Sequence, residues 1–127
     1  MAKPRKTMRV RIPKYVTPRN KWRRAIQGKV RAEQRRRGIA YDRSDRLELR
    51  VRLYFKGPAL FFHDVDNRLK DILDALQGRI GGPKLIKPRR PVIQNDSQVW
   101  RVVAEKSAPP PQSHGHGHLT VRLHRPR

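Results

Sequence analysis

Apolar and charged residues alternate in two places with the period of a strand. Met8, Val10 and Ile12 are separated by Arg9 and Arg11 until Pro13 ends the run. The longer run DRLELRVRLYF puts Leu47, Leu49, Val51, Leu53 and Phe55 on one side and Glu48, Arg50 and Arg52 on the other, so one side must be buried. Two further strands are expected, one over 98–106 and one over 118–124 with Leu119, Val121 and Leu123 inward. Between them the spacing turns helical. Trp22, Ala25, Ile26 and Val30 predict a helix over 20–37, with Asn20 as N-cap and Gly38 as its stop. Val65, Leu69, Ile72, Leu73 and Leu76 form the apolar stripe of a second helix over 66–76, and Asn67, Lys70, Asp71 and Asp74 form the polar stripe opposite.

The order is therefore β-α-β-α-β-β. This predicts an α+β fold, a small mixed sheet of about four strands covered by two helices. A length of 127 residues suits one domain spanning 1–127. A basic tail over 1–7 precedes it, and a Pro/Gly/His-rich loop is expected over 107–117, in SAPPPQSHGHGH. The stretch GRIGGPKLIKPRRP, over 78–91, also reads as a mobile loop.

Charge narrows the function. There are 32 Lys and Arg against 10 Asp and Glu, a balance of +22. A chain this basic repels itself unless a polyanion offsets the charge, and nucleic acid is the obvious one. No cysteine is present, which excludes a disulfide framework, a thiolate nucleophile and a zinc finger. No apolar run approaches the length of a bilayer span or a signal peptide, and no long amphipathic helix offers a membrane anchor. A cytoplasmic setting without membrane contact is expected. The basic residues expected at phosphates are Arg35, Arg36, Arg37, Lys84, Lys87, Arg89 and Arg90, although the first three also complement the end of a helix dipole.

The acids are not scattered. Asp64, Asp66, Asp71 and Asp74, four of the ten, fall within eleven residues. Asp64 and Asp66 can cap a helix start, but Asp66 lies at the edge of the apolar stripe, and Asp96 stands before a strand that can bring it near. Three carboxylates drawn together would repel unless a hard divalent cation lay among them. Magnesium suits such oxygen ligands, and phosphodiester hydrolysis needs such an ion. An acidic metal site in a field of Arg and Lys is the pattern expected of a nuclease.

DVDNRLKDILDAL followed by NDSQV resembles the RusA family of Holliday junction resolvases, where an Asp-x-Asp-Asn-x-x-Lys helix start and an Asp-Gln-Val-type turn recur in that order. The resemblance implies that Asp64, Asp66 and Asp96 hold Mg2+ and that Lys70 is catalytic. It also implies a homodimer that nicks opposed strands of a four-way junction in DNA recombination and repair. One position departs: Asn95 stands where familiar members often carry the first of two acids. Asn67 is expected to orient an aspartate. Two other readings share the charge: a passive RNA- or DNA-binding protein of ribosomal type, and a nuclease of other branched DNA.

Several other residues carry a bland expectation. Asp71 and Asp74 are expected on a solvated face. His114, His116 and His118 could chelate a transition metal but read better as a solvated loop. His63 adjoins Asp64. At least one of Phe61 and Phe62 is expected in the core, the alternative being a ring offered to an unstacked base.

Overall fold

A computed structural model describes residues 6–81, 89–112 and 116–125. The strands are β1 (Met8–Ile12), β2 (Leu47–Tyr54), β3 (Val99–Ser107) and β4 (Gly117–Leu123). The helices are α1 (Arg19–Arg37), α2 (Ala59–Phe62) and α3 (Val65–Leu76), and a 3-10 turn, Asp96–Gln98, leads into β3. The sheet order is β1-β4-β2-β3. β4 runs antiparallel to β1 and β2, and β3 runs parallel to β2. The expected small α+β fold with a mixed sheet is therefore present. The short α2 was not expected.

One face of the sheet is closed by α1 and α3. Met8, Ile12, Leu47, Leu49, Leu119 and Val121 meet Trp22, Ile26 and Val30 of α1 and Ile72, Ala75 and Leu76 of α3 in one core. Each such buried aliphatic side chain contributes about 1.5–3 kcal/mol relative to exposure. Trp22 satisfies its indole N–H on the Pro13 carbonyl at 2.9 Å, which fixes the entry to α1.

The start of α1 differs from expectation. Asn20 does not cap α1: the helix starts at Arg19 after an extended Pro18, with no side-chain cap, and Asn20 lies inside the first turn. Proline's fixed φ and missing N–H favour a helix start, so the boundary falls at Pro18. Gly38 ends α1 as expected, in the left-handed region at φ 63°. The Gly38 N–H donates to Arg35 O and that of Ile39 to Gln34 O, a Schellman arrangement. At the end of α3, Gly78 has φ 80°, and a Cβ there would run into the Arg89 carbonyl. The chain around 89–93 is thereby drawn against α3, where Val92 and Ile93 both donate to Leu76 O.

The other face of the sheet is uncovered by any described element. Alternation sends Arg9 and Arg11 of β1, Arg50 and Arg52 of β2, Arg101 of β3 and Arg122 of β4 to this face. Glu48 does not face water freely: it is buried against Arg122 at 3.0 Å. Among the described residues, no helix is long and apolar enough to cross a membrane.

Candidate functional site

The start of α3 is held by an anchor just before the acids. The His63 ring stacks on Phe55, centroids 4.3 Å apart, and meets the edge of Tyr15 at 4.9 Å. Its carbonyl accepts the Lys106 ammonium at 2.8 Å, and its Nδ1 lies 3.4 Å from the Arg68 guanidinium. Burial first, then the nearby Arg68 and Lys106 cations, lower the His63 pKa, which favours a neutral ring. Its position makes it a structural pin. A cleft of about 470 Å3 opens beside it, with Lys14, Tyr54 and Lys56 among its lining residues.

Asp64 follows at the N-cap position with extended backbone, yet its carboxylate caps nothing. Among the described residues its carboxylate accepts one side-chain hydrogen bond, from Asn67 Nδ2 at 3.5 Å to Asp64 Oδ2. Asp66 lies in the first turn and is exposed. Both carboxylates sit at the positive end of the helix dipole. Lys70 is exposed one turn further along and makes no ion pair with Asp66, although four residues of separation would allow one.

Asp71 corrects an expectation. It is fully buried rather than solvated, and its carboxylate meets three guanidinium groups: Arg19 at 3.0 Å, Arg23 at 2.8 Å and Arg68 at 3.3 Å. Arg23 also reaches Asp74 at 3.2 Å. These acids tie α1 to α3. Arg68 in turn lies over the Tyr15 ring at 4.0 Å, so the network extends to the His63 anchor. Hydrophobic spacing could not reveal it, because Arg19 and Arg23 sit 52 and 48 residues away on another helix.

Asp96 is also placed differently from expectation. Its backbone N–H donates to Gln77 Oε1 at 3.2 Å, at the far end of α3 from Asp64 and Asp66. Asp96 is thereby held by the residue that ends α3, whereas Asp64 and Asp66 stand at the start of that helix. Among the described residues no group of three His, Asp or Glu side chains that could hold an ion is found. The turn that carries Asp96 is itself fixed. Asn95 accepts the Ser97 N–H at 2.8 Å, while Gln98 accepts from the backbone of 94 and 95 and donates to the Asp42 and Asp45 carbonyls. This capping box fixes the turn to the core, and Asn95 serves it as a cap.

The distribution of ion pairs separates the acids into two groups. Glu33, Asp42, Asp45, Glu48, Asp71, Asp74 and Glu105 each lie within 4 Å of an Arg or Lys. Asp64, Asp66 and Asp96 make no ion pair with any described residue. In a chain with 32 cations, exposed acids find partners readily, so these three are left open by the fold.

Of the expected phosphate-binding residues, Arg35, Arg36 and Arg37 are exposed in the last turn of α1, with Arg36 engaged by Glu33. Arg89 and Arg90 are exposed, and their carbonyls accept from the Gln27 amide, with Arg31 also donating to Arg90 O. Lys84, Lys87 and His114 lie outside the described residues. His118 sits on the sheet with its ring edge-on to Tyr54 at 5.6 Å. Both phenylalanines of α2 are exposed, Phe61 at 83% and Phe62 at 81%, against the expectation of at least one in the core. The single turn of α2 packs Ala59 and Leu60 against the core and leaves both phenylalanines outward.

The chain matches no protein-family model and no curated protein sequence.

Proposed function

We propose that this chain is a magnesium-dependent endodeoxyribonuclease that nicks branched DNA, acting as a homodimeric Holliday junction resolvase of the RusA type in the cytoplasm. The observation that carries the reading is the pairing of acids: the three carboxylates without a cation among the described residues are Asp64, Asp66 and Asp96. These are the positions that the RusA-like motif marks. A passive binder with a balance of +22 has no use for open carboxylates beside its phosphate-binding surface.

The donor set at the start of α3 suits magnesium. Asp64 and Asp66 are exposed hard-oxygen donors two residues apart, and Mg2+ is commonly held by one or two carboxylates plus waters and substrate phosphate. Asp64 and Asp66 would hold the ion, and Asn67 would orient Asp64. Bound there, magnesium supplies charge stabilisation at the scissile phosphate and an acidified water. Lys70, free of Asp66, offers its ammonium to the charge that develops on the phosphate. Asp96, held at the other end of α3 by Gln77, is not assigned to the ion within one chain. The arginines at the end of α1 and at 89–90 hold the flanking backbone. The His63 anchor and the Asp71 network keep the start of α3 rigid while this happens.

A four-way junction and a linear duplex of equal length, each incubated with and without magnesium, test the proposal. Paired nicks on the junction, dependent on magnesium and lost in Asp66→Asn with junction binding retained, are the expected result. Binding without cleavage under every condition would leave only the passive nucleic-acid binder.

A further inference from the structure

We propose that the uncovered face of the sheet is a second nucleic-acid surface, which receives a single strand with its phosphates on arginines and a base on Trp100. The register places the groups in rows. Arg9 of β1, Thr120 of β4, Arg50 of β2 and Val103 of β3 form one row, and Arg11, His118, Arg52 and Glu105 form the next. Arg122, Glu48 and Arg101 form the third. Both acids on this face are engaged, Glu48 by Arg122 and Glu105 by Arg52. Arg9, Arg11, Arg50 and Arg101 remain exposed with no ion pair among the described residues.

Thr120 and His118 of β4 separate the arginines of β1 from those of β2, yet the face as a whole carries more cations than acids, a balance that an anion from outside would offset. Its like charge also rules out self-association through the same patch. Two features favour a nucleic acid strand over an acidic protein. Arg9 and Arg11 are two residues apart on a strand, about 6.6–6.8 Å, and so are Arg50 and Arg52; this suits successive phosphates of an extended strand. Beside the third row, Trp100 is 59% exposed, an unusual state for a large aromatic side chain, with the Arg46 guanidinium 4.3 Å from its ring centre. An exposed aromatic ring flanked by arginines is a stacking platform for unpaired bases. A flat face fits a single strand better than the convex surface of a duplex.

This surface is separated from Asp64 and Asp66 by the sheet itself, because α1 and α3 lie on the opposite face. It is therefore distinct from the proposed cutting site, and it is tested by binding rather than by cleavage. Trp22 is fully buried, so tryptophan quenching on ligand addition reports Trp100.

The experiment titrates the full chain with labelled single-stranded DNA, duplex DNA and polyglutamate, reading anisotropy and tryptophan fluorescence over a range of salt. Single strands should quench Trp100, with duplex and polyglutamate quenching much less. Trp100→Ala should weaken single-strand binding by roughly 5- to 150-fold, the value of one stacked base. Arg9→Gln/Arg11→Gln/Arg50→Gln/Arg101→Gln should lower the slope of log K against log salt by about 0.7 for each phosphate no longer neutralised. Lys29→Gln, an exposed change on the helix side, should leave the quenching unchanged. Far-UV circular dichroism checks that each variant is folded. Equal quenching by polyglutamate, or an unchanged slope and affinity in the folded sheet variants, would overturn the proposal whether or not the protein cleaves junctions.

Discussion

The side-chain oxygen of Gln77 accepts the backbone N–H of Asp96 at 3.2 Å, and this tether holds Asp96 to the residue that ends α3, whereas Asp64 stands at its start. The two carboxylates at the helix start and the one at its end should therefore behave differently. Asp64→Asn and Asp66→Asn should lower single-turnover nicking by roughly 10²- to 10³-fold, the usual loss for one charge-stabilising group. They should also raise the magnesium concentration needed for half-maximal rate. Asp96→Asn should slow nicking without moving the magnesium requirement. An equal shift in all three would restore a shared ion among the three carboxylates.

Asp71 predicts a stability effect without a catalytic cause. Its buried carboxylate neutralises Arg68, itself buried, and two further guanidinium groups. Removing one partner of such a cluster leaves buried charge uncompensated and costs about 3–5 kcal/mol. Asp71→Ala should lower the urea midpoint accordingly. A variant within about 0.5 kcal/mol of the parent would show that the network contributes nothing to the joint between α1 and α3.

Glu48 predicts an acid-sensitive contribution to stability. Burial alone would raise its pKa, but the Arg122 contact and the charges of Arg101 and His124 outweigh burial and hold it below the ordinary value of 4.5. Because the folded pKa is the lower one, the stabilisation is present above about pH 4.5 and is lost as pH falls through the folded value. Glu48→Gln should flatten the acid limb of a stability-against-pH curve. An unchanged limb would place the acid sensitivity elsewhere.

The three arginines that end α1 should not be equivalent. Arg36 is engaged by Glu33, whereas Arg35 and Arg37 make no ion pair among the described residues. Arg35→Gln and Arg37→Gln should each lower the salt slope of duplex binding by about 0.9, and Arg36→Gln by less. Equal losses would mean that Glu33 releases Arg36 to the phosphate without penalty.

The four strands and both long helices were legible because each carries a period of two or 3.6 over an apolar set that one face buries. Leu47, Leu49, Leu119 and Val121 illustrate this. What was not legible depended on contacts between distant segments. Asp71 looked like part of a polar stripe because nothing in the sequence near it announces Arg19 and Arg23. Asp96 was expected beside Asp66 because a strand can return there, but Asn95 and Gln98 build a turn whose hydrogen bonds place it beside Gln77 instead. Phe61 and Phe62 were expected to supply core because they are apolar, yet the single turn that carries them packs Ala59 and Leu60 against the core instead. Asp64, Asp66 and Asp96, by contrast, were singled out from spacing and motif, and they are the acids that the fold leaves without cations.

The central claim is that the open carboxylates at the start of α3 serve magnesium-dependent cleavage of branched DNA. The most direct measurement follows a labelled four-way junction with the parent chain and Asp66→Asn, each with magnesium and with a chelator. The account predicts symmetric nicks by the parent with magnesium alone, and a variant that binds the junction at least as tightly while leaving it intact. Cleavage by Asp66→Asn at the parent's rate, or no cleavage by the parent at any magnesium concentration, would contradict it.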